Sequence, residues 1–102
     1  MSGQVLLNEI TATAATKVPF YLTMKDFAGN SLPALKASGL GTGDSILIWE
    51  WINGAWSDSG ATLTSAAEDH SKPILTPGRY AVTAVLLTAG PVSCELNSAT
   101  RS

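Results

Sequence analysis

The chain is 102 residues long, 45% hydrophobic and only 14% charged, with a net charge of −2. That length suits one small domain burying somewhat over ~60% of the surface its unfolded chain exposes, and a charged fraction well under the ~25% usual for globular proteins suits either a Ser/Thr-rich exterior or cover by neighbours. The charge balance excludes the basic footprint that phosphate neutralisation requires, so no nucleic acid is expected as a partner.

No apolar run approaches the ~18 residues of a membrane span, and no basic, apolar and small-residue leader opens the chain. No membrane partner is expected, and the sequence reads as cytosolic at synthesis. A single cysteine, Cys94, excludes an intrachain disulfide framework, and its alternating apolar context reads as a buried thiol.

In chain order, residues 4 to 14 are β-prone with imperfect alternation and give way to Ala14-Ala15-Thr16, so residues 1–16 read as an edge strand or an arm reaching a neighbour. Val18, Phe20, Leu22 and Met24 alternate with Pro19, Tyr21, Thr23 and Lys25, the period of a strand with one buried face. Gly29-Asn30 marks a turn, Pro33 restricts the next segment to an edge or a strand start, and Leu35, Ala37 and Leu40 look inward. The run Gly39-Leu-Gly-Thr-Gly-Asp44 is a loop. Its glycines lack the phosphate-binding spacing and no helix comes after them to present amides.

The stretch from Asp44 to Ala66 holds every tryptophan of the chain. Asn53-Gly54 between two β-prone runs predicts a two-residue type I′ hairpin, because only Gly, Asn and Asp readily take φ > 0 at both central positions. That register faces Ile52 with Ala55, Trp51 with Trp56, Glu50 with Ser57 and Trp49 with Asp58. Ile46, Ile48 and Ile52 then share one side with Glu50, whereas Leu47, Trp49, Trp51 and Trp56 share the other. Both sides are apolar, so the strand is either covered twice or presents an aromatic face to something else. The tryptophan side reads as a second core, a subunit interface or a sugar-stacking platform. Glu50 requires a partner such as Arg79 or Lys36, or a wet rim.

Ser57-Asp-Ser-Gly60 is a second turn candidate, Ala61 to Ala66 a short strand anchored by Leu63, and Ala67 to Pro73 a polar loop. Ile74-Leu75 reads as a brief strand, Thr76-Pro77-Gly78 as a type II turn. The next strand alternates Tyr80, Val82, Ala84 and Leu86 with Ala81, Thr83, Val85 and Leu87 and reads as central. Ala89-Gly90-Pro91 turns the chain into the last strand, Val92 to Leu96.

No window carries helical periodicity, and turn signals recur about every ten residues. The expectation is therefore an all-β, two-sheet antiparallel β-sandwich, Ig-like or jelly-roll-like, of about seven to eight short strands, occupying residues 17–98 with residues 99–102 frayed.

Candidate chemistry is thin. His70 sits in Glu68-Asp69-His70, but adjacent residues on an extended loop diverge and no second His or Cys lies at ligand spacing, so a solvated loop is expected. A serine nucleophile would depend on that lone histidine, and no G-x-S-x-G elbow is present, so no enzyme is expected. Asp44 and Asp58 flank the hairpin strands and offer oxygens to a hard cation, although turn aspartates ordinarily hydrogen-bond their own backbone.

The glycine loop into an alternating strand, the Asn-Gly hairpin with a Trp just after it, the strand Ala-Thr-Leu-Thr and the corner Thr76-Pro77-Gly78-Arg79-Tyr80 together resemble small virion structural proteins of tailed bacteriophages, including capsid decoration (cement) proteins. The resemblance covers about residues 39 to 88. In proteins of this look the positions matching Leu47, Trp49 and Trp51 tend to be polar, and here they are apolar.

The resemblance implies no cofactor and no enzymatic activity. It implies a homotrimer or other oligomer on the major capsid protein lattice, made in the host cytoplasm and located on the virion surface. On that footing Leu47, Trp49, Trp51 and Trp56 face a neighbour. The reading from another class is a carbohydrate-binding or receptor-binding β-sandwich module using Trp49, Trp51 and Trp56, and a domain of a larger fibre or adhesin is a third.

Overall fold

A computed structural model describes residues 4–29, 32–65, 71–88 and 90–98. The chain is all-β: β1 (Gln4–Ile10), β2 (Ala14–Leu22), β3 (Ala34–Ser38), β4 (Ser45–Ile52), β5 (Ala55–Thr64), β6 (Ser71–Pro73), β7 (Gly78–Val85) and β8 (Val92–Asn97), with one 3-10 turn at Met24–Phe27. They form two antiparallel four-stranded sheets, ordered β1-β8-β3-β6 and β2-β7-β4-β5, packed as a sandwich.

The strand order decides between the two sandwich topologies. Strand 4 pairs with 5, 3 with 6, 2 with 7 and 1 with 8, which is one long hairpin ribbon folded over on itself. The folds bring β8 beside β3 and β7 beside β4, closing each sheet. Only β4 and β5 are both consecutive and hydrogen-bonded to one another, so the arrangement is a jelly roll rather than an Ig-like sandwich, whose hairpins join consecutive strands within a sheet.

The inner faces supply one core. Phe20, Leu35, Ile46, Leu63, Val82, Val92 and Leu96 are fully enclosed. Phe20 and Tyr80 stack with ring centroids 5.6 Å apart. Tyr80 lies inward with its hydroxyl donating to the Thr76 carbonyl at 2.8 Å, so its polar tip fixes the chain entering β7 while its ring fills the core.

The hairpin has the register that its turn dictates, from Ile52 opposite Ala55 to Trp49 opposite Asp58, and Asn53 and Gly54 take φ of 52° and 81°. Several expectations are corrected. Ser57 to Gly60 is not a turn, because β5 runs through it as a bulge. Asp58 Oδ1 accepts the Gly60 N–H at 2.8 Å and Ser59 Oγ donates to the Ile48 carbonyl at 2.6 Å, so side chains absorb the extra residues without breaking the strand.

Met24 is not in a strand. The Asp26 carboxylate accepts the Thr23 N–H at 2.8 Å and closes a 3-10 turn that leaves Met24 74% exposed. Ile52, assigned to the core side, is 44% exposed because the sheet ends at its row. Ile74-Leu75 is not a strand: Ser71–Pro73 pairs with β3, and Ile74 is buried by donating its N–H to the Pro33 carbonyl at 2.8 Å. Gly78 opens β7 with φ of 157°, far from the ~+80° that a type II turn requires.

At the N-terminus, β1 is hydrogen-bonded to β8, and residues 14–16 already belong to β2. The turn residue Asn30, the loop carrying His70 and the expected frayed end at 99–102 lie outside the described residues.

Candidate surface site on the outer face of the β2-β7-β4-β5 sheet

Alternation along four strands builds this face in rows. Tyr21 faces Arg79, and the same registers carry that row to Trp51 and Trp56. The next row is Pro19, Ala81, Trp49 and Asp58; the one after joins Thr83, Leu47 and Thr62. The sheet thus gathers all four residues expected at an interface, Leu47, Trp49, Trp51 and Trp56, on one side, although Leu47 sits between threonines away from the Trp51–Trp56 pair.

The tryptophans do different things. Ala81 is 0% and Thr83 7% exposed although both point away from the core, so something roofs them. Trp49, in register with Ala81, supplies that roof: its Nε1–H donates to Thr83 Oγ1 at 2.9 Å, and Lys17 Nζ lies 4.4 Å from its ring centroid. Trp49 therefore belongs to a small second core.

Trp51 and Trp56 meet edge to face, with centroids 5.0 Å apart and planes at 79°. The Arg79 guanidinium lies 4.3 Å from the Trp51 centroid, 5.5 Å from Trp56 and 5.7 Å from Tyr21. Cations over rings are held by the ring quadrupole. The result is a half-buried aromatic cluster centred on one guanidinium.

Ring geometry bears on the sugar-platform reading. A sugar stacks by laying its C–H face on an open aromatic face, and neighbouring platforms serve one chain best when coplanar. Here Trp51 and Trp56 are nearly perpendicular, and cations stand over Trp51 and Trp49.

Arg79 does not serve Glu50. It lies on the outer face, whereas Glu50 shares the inner parity of Ile46 and Ile48 and sits half-buried at the rim beside Ser57 and Tyr80. Lys36 is exposed on the other sheet, in register with Glu95. The wet rim describes Glu50.

The remaining candidates resolve into structure. Asp44 is 2% exposed, and its carboxylate accepts the N–H groups of Gly41 at 2.9 Å, Leu87 at 2.7 Å and Thr88 at 2.9 Å, as well as the Thr88 hydroxyl. The Thr88 hydroxyl bond foremost, with those amides, holds its pKa down at about 2 against the opposing effect of burial. The glycine loop's amide thus turns to Asp44, and the glycines make room for Leu87, Thr88 and Pro91: a Cβ on Gly39 would lie 2.0 Å from the Pro91 carbonyl oxygen. Asp58 spends an oxygen on Gly60, and among the described residues no three metal-ligating side chains cluster.

Cys94 is buried, and desolvation pushes its thiol up to about 12. A depression of about 310 Å³ on the opposite sheet, bordered by Val5, Asn8, Lys36, Ser93 and Glu95, is an open groove at the β1 bulges.

Sequence reasoning missed Tyr21 and Arg79 as members of the cluster. Their parity was visible in the alternation of their own strands, but only the order β2-β7-β4-β5 sets those strands beside the tryptophan hairpin. No protein-family model matches the chain, and neither a curated protein nor a solved structure matches it.

Proposed function

We propose that this chain is a non-enzymatic bacteriophage virion structural protein, a capsid decoration (cement) protein that binds and reinforces the outer surface of the head shell as an oligomer. The observation that carries the reading is the cation-capped aromatic face of the β2-β7-β4-β5 sheet. Tyr, Trp and Arg are the residue types enriched at the centres of protein–protein interfaces, and here they form one cluster.

Two further features support it. The first is the resemblance carried by residues 39 to 88. The second is the state of the sheet edges. β1 has two register shifts, β6 is three residues long and ends in Pro73, β2 carries Pro19 and a register shift, and β5 is bulged at Gly60. Every edge is blunted against strand addition, so a neighbour is met through a face or an end of the sandwich. The jelly roll itself is shared by capsid and lectin domains and adds only analogy.

Joined copies gain avidity on a lattice without new contacts, and a closed homotrimer provides it through one repeated interface. The test mixes purified protein with cognate undecorated, expanded shells, pellets them and heats them. Saturable co-sedimentation with raised shell stability is expected, and light scattering should give a mass of about three chains. Absence of shell binding, together with polysaccharide binding read by tryptophan fluorescence, would replace this reading with the carbohydrate-binding one.

A further inference from the structure

We infer that Arg79, walled by Tyr21, Trp51 and Trp56, is a preformed fork for a carboxylate, and that the partner docking on this face is an acidic protein surface presenting an Asp or Glu flanked by apolar side chains. This rests on the shell-binding reading and adds to it the chemistry of the shell site.

Three rings surround the guanidinium, whose Cζ lies 4.3 Å from the Trp51 centroid and within 5.7 Å of all three centroids. Its N–H donors lie in the plane of the group, Arg79 is exposed, and no acceptor among the described residues is bonded to them. The ring contacts therefore hold the guanidinium in place while its donors stay available to a partner. A planar guanidinium with a free edge matches a carboxylate through two parallel N–H···O bonds, a geometry that lysine's point charge does not reproduce. Because the walls hold the side chain in place, less rotamer freedom is lost on binding.

Charge selects the partner. Among the described residues, Lys17 and Arg79 stand on this face against one carboxylate there, Asp58, which is engaged with Gly60, while the whole chain carries −2. The face is thus cationic on an acidic protein. Two copies meeting face to face would set Arg79 and Lys17 against their own kind, and two cations beside an aspartate fall far short of a phosphate-backbone footprint. The surroundings supply the apolar part: Tyr21 is 52% exposed, and Trp51 and Trp56 are half-buried beside the guanidinium. Residues beside the partner's carboxylate would cover these and exclude water, which strengthens the ion pair.

The experiment measures co-sedimentation of wild type, Arg79→Lys and Arg79→Ala with undecorated shells. Each is used before and after shell carboxylates are amidated with carbodiimide and glycinamide, and far-UV circular dichroism verifies each fold. Arg79→Ala should weaken binding about 10- to 100-fold, as loss of hydrogen bonds between charged groups does, and Arg79→Lys should not restore it. Amidated shells should show the same loss with wild type and no further loss with Arg79→Ala.

Unchanged binding by Arg79→Ala overturns the inference and leaves the shell reading intact. If wild type binds no shell, the shell reading fails, and titration with poly-L-glutamate monitored by tryptophan fluorescence decides the inference. A saturable response lost in Arg79→Ala and absent with heparin supports it, whereas no response, or an equal response to heparin, overturns it. Self-association abolished by Arg79→Ala would give the face to a second copy and also overturn it.

Discussion

Trp49→Ala separates the roof from the docking cluster. A tryptophan buries about 150–250 Å², and Trp49 is half-buried, so truncation to the β-carbon returns roughly 120 Å² of apolar contact to water. At about 25 cal/mol per Å² that is about 3 kcal/mol, with no cavity cost because solvent enters from above. The lost bond to Thr83 adds about 1 kcal/mol, and the half-buried Lys17 contact about 0.5 kcal/mol. The sum is about 4.5 kcal/mol, an upper estimate because the unfolded chain already hides some of this area. That is a large share of the 5–15 kcal/mol that holds a domain together.

Trp49→Phe keeps most of the cover and should cost about 1 kcal/mol. Combined with Thr83→Val it should show a coupling of about 1 kcal/mol, because the two single changes remove the same bond. The assay is urea unfolding monitored by far-UV circular dichroism, since the substitution removes a fluorophore. A loss below about 1 kcal/mol for Trp49→Ala at unchanged m-value would refute the roof. Loss of partner binding by a folded Trp49→Ala variant with Trp51→Ala silent would reverse the division of roles.

Three further outcomes are expected from the same structure. Asp44 is held at about 2 in the fold against an ordinary 3.8, so the folded state binds fewer protons than the unfolded state between these values. Its stabilisation is complete above about pH 4 and disappears as pH falls toward 2, and urea midpoints of Asp44→Asn should fall less steeply than wild type across that window. Gly39→Ala, at φ of 83° with its added carbon against the Pro91 carbonyl, should lose at least about 2 kcal/mol, whereas Gly54→Ala, at φ of 81° in open space, should lose only about 1 kcal/mol by the same unfolding assay. The Cys94 thiol should resist an aromatic disulfide reagent at pH 8 in the native protein and react at once in denaturant, because burial holds it protonated up to about 12.

What was legible in the sequence was local. The period of two along Val18–Leu22 and Tyr80–Ala84, and the Asn53-Gly54 turn, rest on backbone sterics and pleat geometry that operate within a few residues, and the hairpin register came from them. The failures at Met24, at Ser57 to Gly60 and at Ile74 share a cause, because in each a side chain or a distant carbonyl satisfies the backbone. Asp26 turns the chain after Leu22, Asp58 and Ser59 carry β5 through its bulge, and Pro33 captures the Ile74 N–H. The site divided along the same line. Leu47, Trp49, Trp51 and Trp56 lie on one hairpin and were assigned one face by parity alone, whereas Tyr21 and Arg79 reach them only through the folding of the eight-strand ribbon.

The ribbon's folding also constrains how the proposed assembly works. With all four edges blunted, an association must use a face or an end of the sandwich. The β2-β7-β4-β5 face cannot serve a two-fold contact well, since Arg79 and Lys17 would meet like charge in the low-dielectric centre of the interface. A heterologous contact avoids that conflict and is the kind that closes into rings or tracks a lattice. Placing the guanidinium cluster against the shell leaves the oligomer contact to other surfaces, so the two associations should separate under mutation. Arg79→Ala should strip the protein from shells while the mass measured by light scattering stays that of wild type, and a parallel loss of both would show that one face serves both contacts.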